Sequence, residues 1–139
     1  MAATKDTLLG LDVGERRIGV AIADTIGKTA MAVTTLQVDG TEMVRLQRLM
    51  FERDVTAFIV GLPRNMSGEK TQQTTYIEDF VIRRLAGFDM PVHFQDESLT
   101  SVQAEQELKR RGKPYAKADI DSQAAAIILQ DYLEADHGH

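Results

Sequence analysis

The chain has 139 residues, no cysteine and a formal net charge of −5. That length suffices for one folded domain with a proper core, and the missing thiols exclude disulfides, thiolate catalysis and cysteine-ligated zinc. No apolar run approaches the ~20 residues of a membrane span, and the opening MAATKDT lacks a signal-peptide core, so a soluble cytoplasmic protein is expected.

In chain order, Leu8, Leu9, Leu11 and Val13 read as a central strand covered on both faces, Gly14 permits a tight turn, and residues 18–23 return as a second strand. Asp12 stands inside the first of these strands. A carboxylate taken out of water costs several kcal/mol or protonates, so Asp12 needs a metal ion, a cationic partner or a wet cleft, unless it only caps the turn. Residues 33–38 form a third strand. Residues 41–54 form an amphipathic helix that turns Met43, Leu46, Leu49 and Met50 inward. The fully apolar run 57–62 is a fourth strand and leads into the loop PRNMSGEK. A helix over 71–85 follows, burying Ile77, Phe80 and Val81. Pro91 introduces a short strand over 92–95, and then come a helix over 100–111, a basic loop, and a last helix with Ala125, Ile128, Leu129 and Tyr132. The order β-β-β-α-β-α-β-α-α predicts an α/β fold of three layers, a mixed five-stranded sheet with helices on both faces. One domain over 1–139 is expected, with loose ends at 1–6 and 134–139.

Two further acids occupy positions comparable to that of Asp12. Glu97 falls at a strand end, where α/β sheets build sites. Asp121 falls in the first turn of the last helix, where the macrodipole favours an acid and where either Asp119 or Asp121 can be the cap. Four motifs carry a resemblance: LDVGERRIGVAIAD at 11–24, IVGLPRNMSG at 59–68, DESLTS at 96–101 and DSQAAAIIL at 121–129. With these in order, the chain resembles the YqgF family, also described as RuvX-type Holliday junction resolvases and as pre-16S rRNA nucleases. The resemblance implies an RNase H-like fold with Asp12, Glu97 and Asp121 as catalytic and metal-binding acids. Two departures fall on the substrate side. Members often carry Arg where this chain has Ser98, and many carry a second Gly and then a basic residue where it has Thr71 and Gln73.

Three clustered carboxylates repel one another, and hard divalent cations such as Mg²⁺ or Mn²⁺ relieve that repulsion. Two ions about 3.5–4 Å apart suit in-line hydrolysis of a phosphodiester, with Asp12 bridging and Glu97 and Asp121 each completing one shell. The implied function is a metal-dependent endonuclease that processes the 5′ end of pre-16S rRNA in ribosome biogenesis. The alternatives are a resolvase of four-way DNA junctions and a non-catalytic RNA-binding assembly factor. A resolvase cutting two strands needs a symmetric dimer, so monomer and homodimer both stay open. The opening motif also resembles the phosphate loop of sugar kinases, actins and heat-shock chaperones, but those clamp nucleotide between two such domains.

The net charge is acidic, yet segment 109–117, KRRGKPYAK, holds five basic residues and no acid, leaving 11 basic against 21 acidic residues elsewhere. Lys109, Arg110, Arg111, Lys113 and Lys117 are therefore candidate phosphate contacts beside the acids, with Tyr115 able to stack on a base or sugar. Arg16 and Arg17 in the hairpin turn, and Arg64 and Asn65 in the loop after the fourth strand, complete the candidate substrate set. His93 reads as a strand residue with a satisfied ring, and His137 and His139 as tail residues without a catalytic part.

Overall fold

The computed structural model describes residues 5–64, 67 and 69–135. The apolar runs form five strands: β1 (Thr7–Val13), β2 (Arg17–Asp24), β3 (Met31–Gln37), β4 (Ala57–Pro63) and β5 (Val92–Glu97). They lie side by side in the order β3-β2-β1-β4-β5. The hairpin strands pair antiparallel, β1 with β2 and β2 with β3, while β4 runs parallel to both β1 and β5. This is the expected mixed sheet. Among the described residues, α1 (Glu42–Glu52), α2 (Gln72–Phe80) and α4 (Lys117–Glu134) cover it, and α3 (Thr100–Arg111) packs on α4.

Strand alternation divides the core in two. Leu9, Leu11, Val13, Ile18 and Val20 pack with Leu46 and Met50 of α1 and with Ile77 and Phe80 of α2. On the other face, Leu8, Ala21, Ala23, Ala57 and Ile59 pack with Ala125, Ile128 and Leu129 of α4. Met43, Leu49 and Val81, expected inside, are only partly buried against the first cluster. The helix expected over 71–85 changes character after Phe80. Residues Val81–Leu85 form a π-helical turn, closed by the Ala86 N–H on the Val81 carbonyl. Phe80 and Leu85 are both buried although five residues apart, a spacing that α-helical geometry does not keep on one face.

The second face carries glycines where α4 crosses it. A Cβ on Gly10 would stand 2.8 Å from Leu129 Cβ, one on Gly61 2.5 Å from Ile128 Cδ1, and one on Gly19 1.9 Å from the Asp121 carbonyl oxygen. These three positions on three strands form a smooth seat that lets the α4 backbone approach the sheet. The Thr35 hydroxyl adds a clamp by donating to the Ala118 carbonyl at 2.5 Å. The start of α4 is thus fixed over β2 and β3.

Candidate active site

Asp12 projects from β1 on the α4 side, in line with Leu8 and Gly10. Its register partner on β2 is Gly19, over which the Asp121 backbone rests. A missing side chain on β2 therefore brings an acid of the last helix against an acid of the first strand. Burial and the facing Asp121 charge push the Asp12 carboxyl up from 3.8 to about 6. Among the described residues no cation pairs with it.

Asp121 stands in the second turn of α4, not the first, because the helix starts at Lys117. Nor is it a cap. Asp119 has that task, its carboxylate accepting the Ala116 N–H at 2.8 Å, which leaves the Asp121 side chain available. That side chain is held by Arg17 at the start of β2, whose Nε donates to Asp121 Oδ2 at 2.5 Å.

Glu97 ends β5, level with Pro63 of β4. Its backbone carbonyl accepts the Arg64 N–H at 3.1 Å, and Arg64 Nε pairs with Asp96 at 3.2 Å, so the ends of β4 and β5 are tied together. Glu97 shares with Asp12 a cleft of about 320 Å³, walled also by Gly61, Arg64, Thr100 and Ile128. Its Oε1 is buried without a hydrogen-bond partner. Burial first, then a hydrogen bond and charge repulsion from Asp131 of α4, push its carboxyl up to about 8. Asp131 was not singled out from the sequence. It lies among several acids on an exposed-looking helix, and only the crossing of α4 toward β5 reveals its place.

The three acids lie on the α4 side of the sheet, with Asp12 between its two partners, but as an opened set. Among the described residues no three acidic or imidazole side chains stand close enough to grip one ion. Neighbouring acids oppose one another's ionisation, and the raised Asp12 and Glu97 carboxyls carry that effect together with burial. The donor set itself, all carboxylate oxygens with one buried and unpartnered, fits a hard divalent cation.

The basic segment is less of a loop than its composition suggests. Lys109, Arg110 and Arg111 are the last turn of α3, where cations suit the helix dipole, and Gly112 ends the helix at φ 75°. Arg110 and Arg111 both pair with Glu107. The Tyr115 hydroxyl donates to Glu105 at 2.8 Å, which ties the ring side chain to α3. Lys113 is exposed in the connection, while Lys117 opens α4 one turn before Asp121, on the same face. Arg16 is exposed in the hairpin turn. Asn65 lies outside the described residues, as do His137 and His139. His93 stacks on Tyr132 with ring centroids 5.8 Å apart, a structural contact at the far end of α4 from Asp121.

The two departures from the family pattern have structural uses. Thr71 caps α2, its hydroxyl accepting the Thr74 N–H, and Gln73 Nε2 donates to the Val13 carbonyl at 3.1 Å, fastening α2 to the end of the Asp12 strand. Ser98 lines the cleft, and beside it Leu99 adopts φ 58° with its side chain 72% exposed at the mouth. An exposed Leu in the left-handed region is unusual, and nothing in its apolar, solvent-facing sequence position signals it.

A family model described as "RuvX: Holliday junction resolvase" matches residues 6–135. A protein of Chloroflexus aggregans named "Putative pre-16S rRNA nuclease" is 47% identical over 135 residues, covering 94% of this chain and 95% of its own. A Synechocystis protein of the same name is 40% identical over 139 residues, covering 97% and 91%. Among solved structures, Thermus thermophilus RuvC in complex with a Holliday junction substrate superimposes with a TM-score of 0.54 at 17% identity, covering 91% of this chain and 93% of that one. Fowlpox virus resolvase with Holliday junction DNA gives 0.53 at 11% identity, covering 93% and 99%. At such identities the likeness is one of fold, the RNase H-like α/β sheet. The family model and the relatives, each spanning nearly the whole chain, show that this chain belongs to the RuvX family of nucleases.

Proposed function

We propose that this chain is a divalent-metal-dependent endonuclease, acting as one RNase H-like domain in the cytoplasm to process the 5′ end of precursor 16S rRNA. The observation that carries the reading is the pair Asp12 and Glu97 in one cleft, with Asp121 set against Asp12 across the glycine of β2. The rRNA substrate is supported by the names of relatives at 40–47% identity.

Asp12, Glu97 and Asp121 would hold Mg²⁺ or Mn²⁺. Such an ion, when bound, supplies Lewis-acid activation of water and charge stabilisation at the leaving oxygen. The chain's own residues prepare for this. Gly19 and Gly61 let α4 close onto the sheet, setting the Asp121 backbone beside Asp12 and Ile128 into the cleft wall. Arg64, restrained by Asp96, stands at the cleft edge where a phosphate oxygen would lie. Arg16 and Lys117, both exposed, flank Asp121 from the hairpin turn and from α4 and suit the neighbouring phosphates. Lys109, Arg110, Arg111 and Lys113 lie farther along α3 and its connection, as a positive tract for the rest of the strand.

The test is cleavage of precursor rRNA and of a four-way DNA junction, side by side, by the wild type and by Asp12→Asn, with Mn²⁺ and with a chelator. Metal-dependent cutting of the rRNA, lost in the variant, is expected. Preferential cutting of the junction by a dimer would transfer the same site to the resolvase reading. Binding without any cutting would leave an assembly factor.

A further inference from the structure

The reading above makes Asp121 a metal ligand, yet in the structure its carboxylate is engaged by the guanidinium of Arg17. We infer that Arg17 is an internal counter-cation: it holds Asp121 until a divalent ion displaces it, and is thereby released to a substrate phosphate. This inference rests on the metal-nuclease reading and adds to it a residue that couples metal loading to substrate grip.

Three observations carry it. Arg17 is the one cation that touches any of the three acids among the described residues, and its bond is short and directed at a single oxygen. The Asp121 backbone rests over Gly19, the register partner of Asp12, so the two acids are neighbours across β1 and β2, and an ion held by both would compete with the guanidinium for Asp121. Finally, the pair is not sealed in. Arg17 and Asp121 side chains are 31% and 20% exposed. The pair forms the wall between two shallow depressions, one bordered by Lys117 and the other by Arg16. Each depression pairs one further cation with one acid, Lys117 with Glu105 and Arg16 with Glu15, so a guanidinium leaving Asp121 turns toward a cation with which it can share a phosphate. A permanent structural staple has no need of room on both sides.

The two partners of Arg17 match in charge and differ in shape. A carboxylate and a phosphodiester each carry one negative charge and offer oxygens that a guanidinium binds well, so exchange from one to the other costs little once the ion has neutralised Asp121. The order of events follows. Without metal, Asp121 is neutralised and Arg17 is unavailable to nucleic acid. With metal, both are in place.

The test uses the full chain labelled with ¹⁵N and follows the Arg17 Nε–H resonance, assigned with Arg17→Gln, while Mg²⁺ alone is added. Expected is a resonance shifted and protected from water exchange without metal, which loses both properties as Mg²⁺ saturates. In calorimetry Arg17→Gln should bind Mn²⁺ roughly tenfold more tightly than wild type, since the competitor is gone. A second arm measures binding of a non-cleavable RNA. With inert Ca²⁺ present, Arg17→Gln should lower the slope of log affinity against log salt by about one, and without metal it should leave the slope unchanged. An Nε–H signal that stays put while calorimetry shows Mg²⁺ binding overturns the counter-cation role and spares the nuclease reading. Absence of any Mg²⁺ or Mn²⁺ binding to the wild type overturns both. Weaker Mn²⁺ binding by Arg17→Gln, or an equal slope change with and without Ca²⁺, would show a fixed support for Asp121 and also overturn the inference.

Discussion

Asp12→Asn should stabilise the metal-free protein, and only above the pH at which Asp12 ionises. In the folded chain the Asp12 carboxyl has moved from 3.8 to about 6, because burial and Asp121 oppose its charge. A raised acid binds its proton in the folded state over a range where the unfolded chain has already released it. Its contribution to stability is therefore fully present below about pH 4 and is lost as pH climbs through about 6. At 1.36 kcal/mol per tenfold change in proton affinity, the loss is about 3 kcal/mol at pH 7.5 as an upper figure. Glu97, raised from 4.5 to about 8, adds a loss of the same sign across a higher window. Asn keeps the shape of the protonated acid and cannot ionise, so the variant escapes the Asp12 part alone. Urea unfolding in chelator should show about 1–3 kcal/mol of added stability at pH 7.5 and almost none at pH 4, with the m-value unchanged. Magnesium reverses the comparison: a ligand at a hundred times its Kd stabilises wild type by about 2.7 kcal/mol, a gain the variant largely lacks. An equal difference at both pH values, or a less stable variant at pH 7.5, would refute the buried-charge argument.

Other perturbations read separate parts of the site. Asp131→Asn removes the charge that opposes Glu97 ionisation, so Mn²⁺ binding followed against pH should reach its midpoint at lower pH than in wild type; an unmoved midpoint denies Asp131 this influence. Gly19→Ala drives a Cβ into the Asp121 carbonyl and should lift the start of α4, costing about 3 kcal/mol or more of stability by thermal unfolding and abolishing metal binding. Gly61→Ala meets only the flexible end of Ile128 and should cost about 1–2 kcal/mol. Arg110→Ala with Arg111→Ala breaks exposed pairs with Glu107, so thermal stability should barely change while the salt slope of RNA binding falls by about one per lost phosphate contact.

The strands were legible because apolar runs bounded by Gly, Pro and polar residues have few other meanings, and Asp12 stood out as the one charge inside such a run. The three acids were identified through motif resemblance, since acids at a strand end and a helix start have ordinary structural uses. What stayed hidden depends on pairs far apart in sequence. Arg17 and Asp121 are separated by 104 positions, and the glycine seat for α4 is assembled from three strands. The start of α4 was placed too late because Lys117 and Ala118 lack an apolar signature and Ala116 has no capping side chain; Asp119 reaches back instead. The π-helical turn after Phe80 leaves no mark, as its residues suit an α-helix equally well.

The same distant pairs relieve the three acids gathered at one end of the sheet. Each has a different relief. Asp121 receives a guanidinium, Glu97 is held toward its protonated form beside Asp131, and Asp12, with no cation at hand, is raised to the edge of neutrality. These reliefs are interchangeable with a divalent ion in charge but not in strength, because proton and guanidinium each neutralise one carboxylate where an ion between carboxylates acts on all of them. A site arranged this way should release protons and an arginine as it loads, so metal affinity must rise with pH across the interval set by Asp12 and Glu97. Calorimetry in buffers of different ionisation enthalpy counts those protons directly. Between one and two released per site at pH 6 is the expected result, and none would mean that the acids are ionised before the metal arrives.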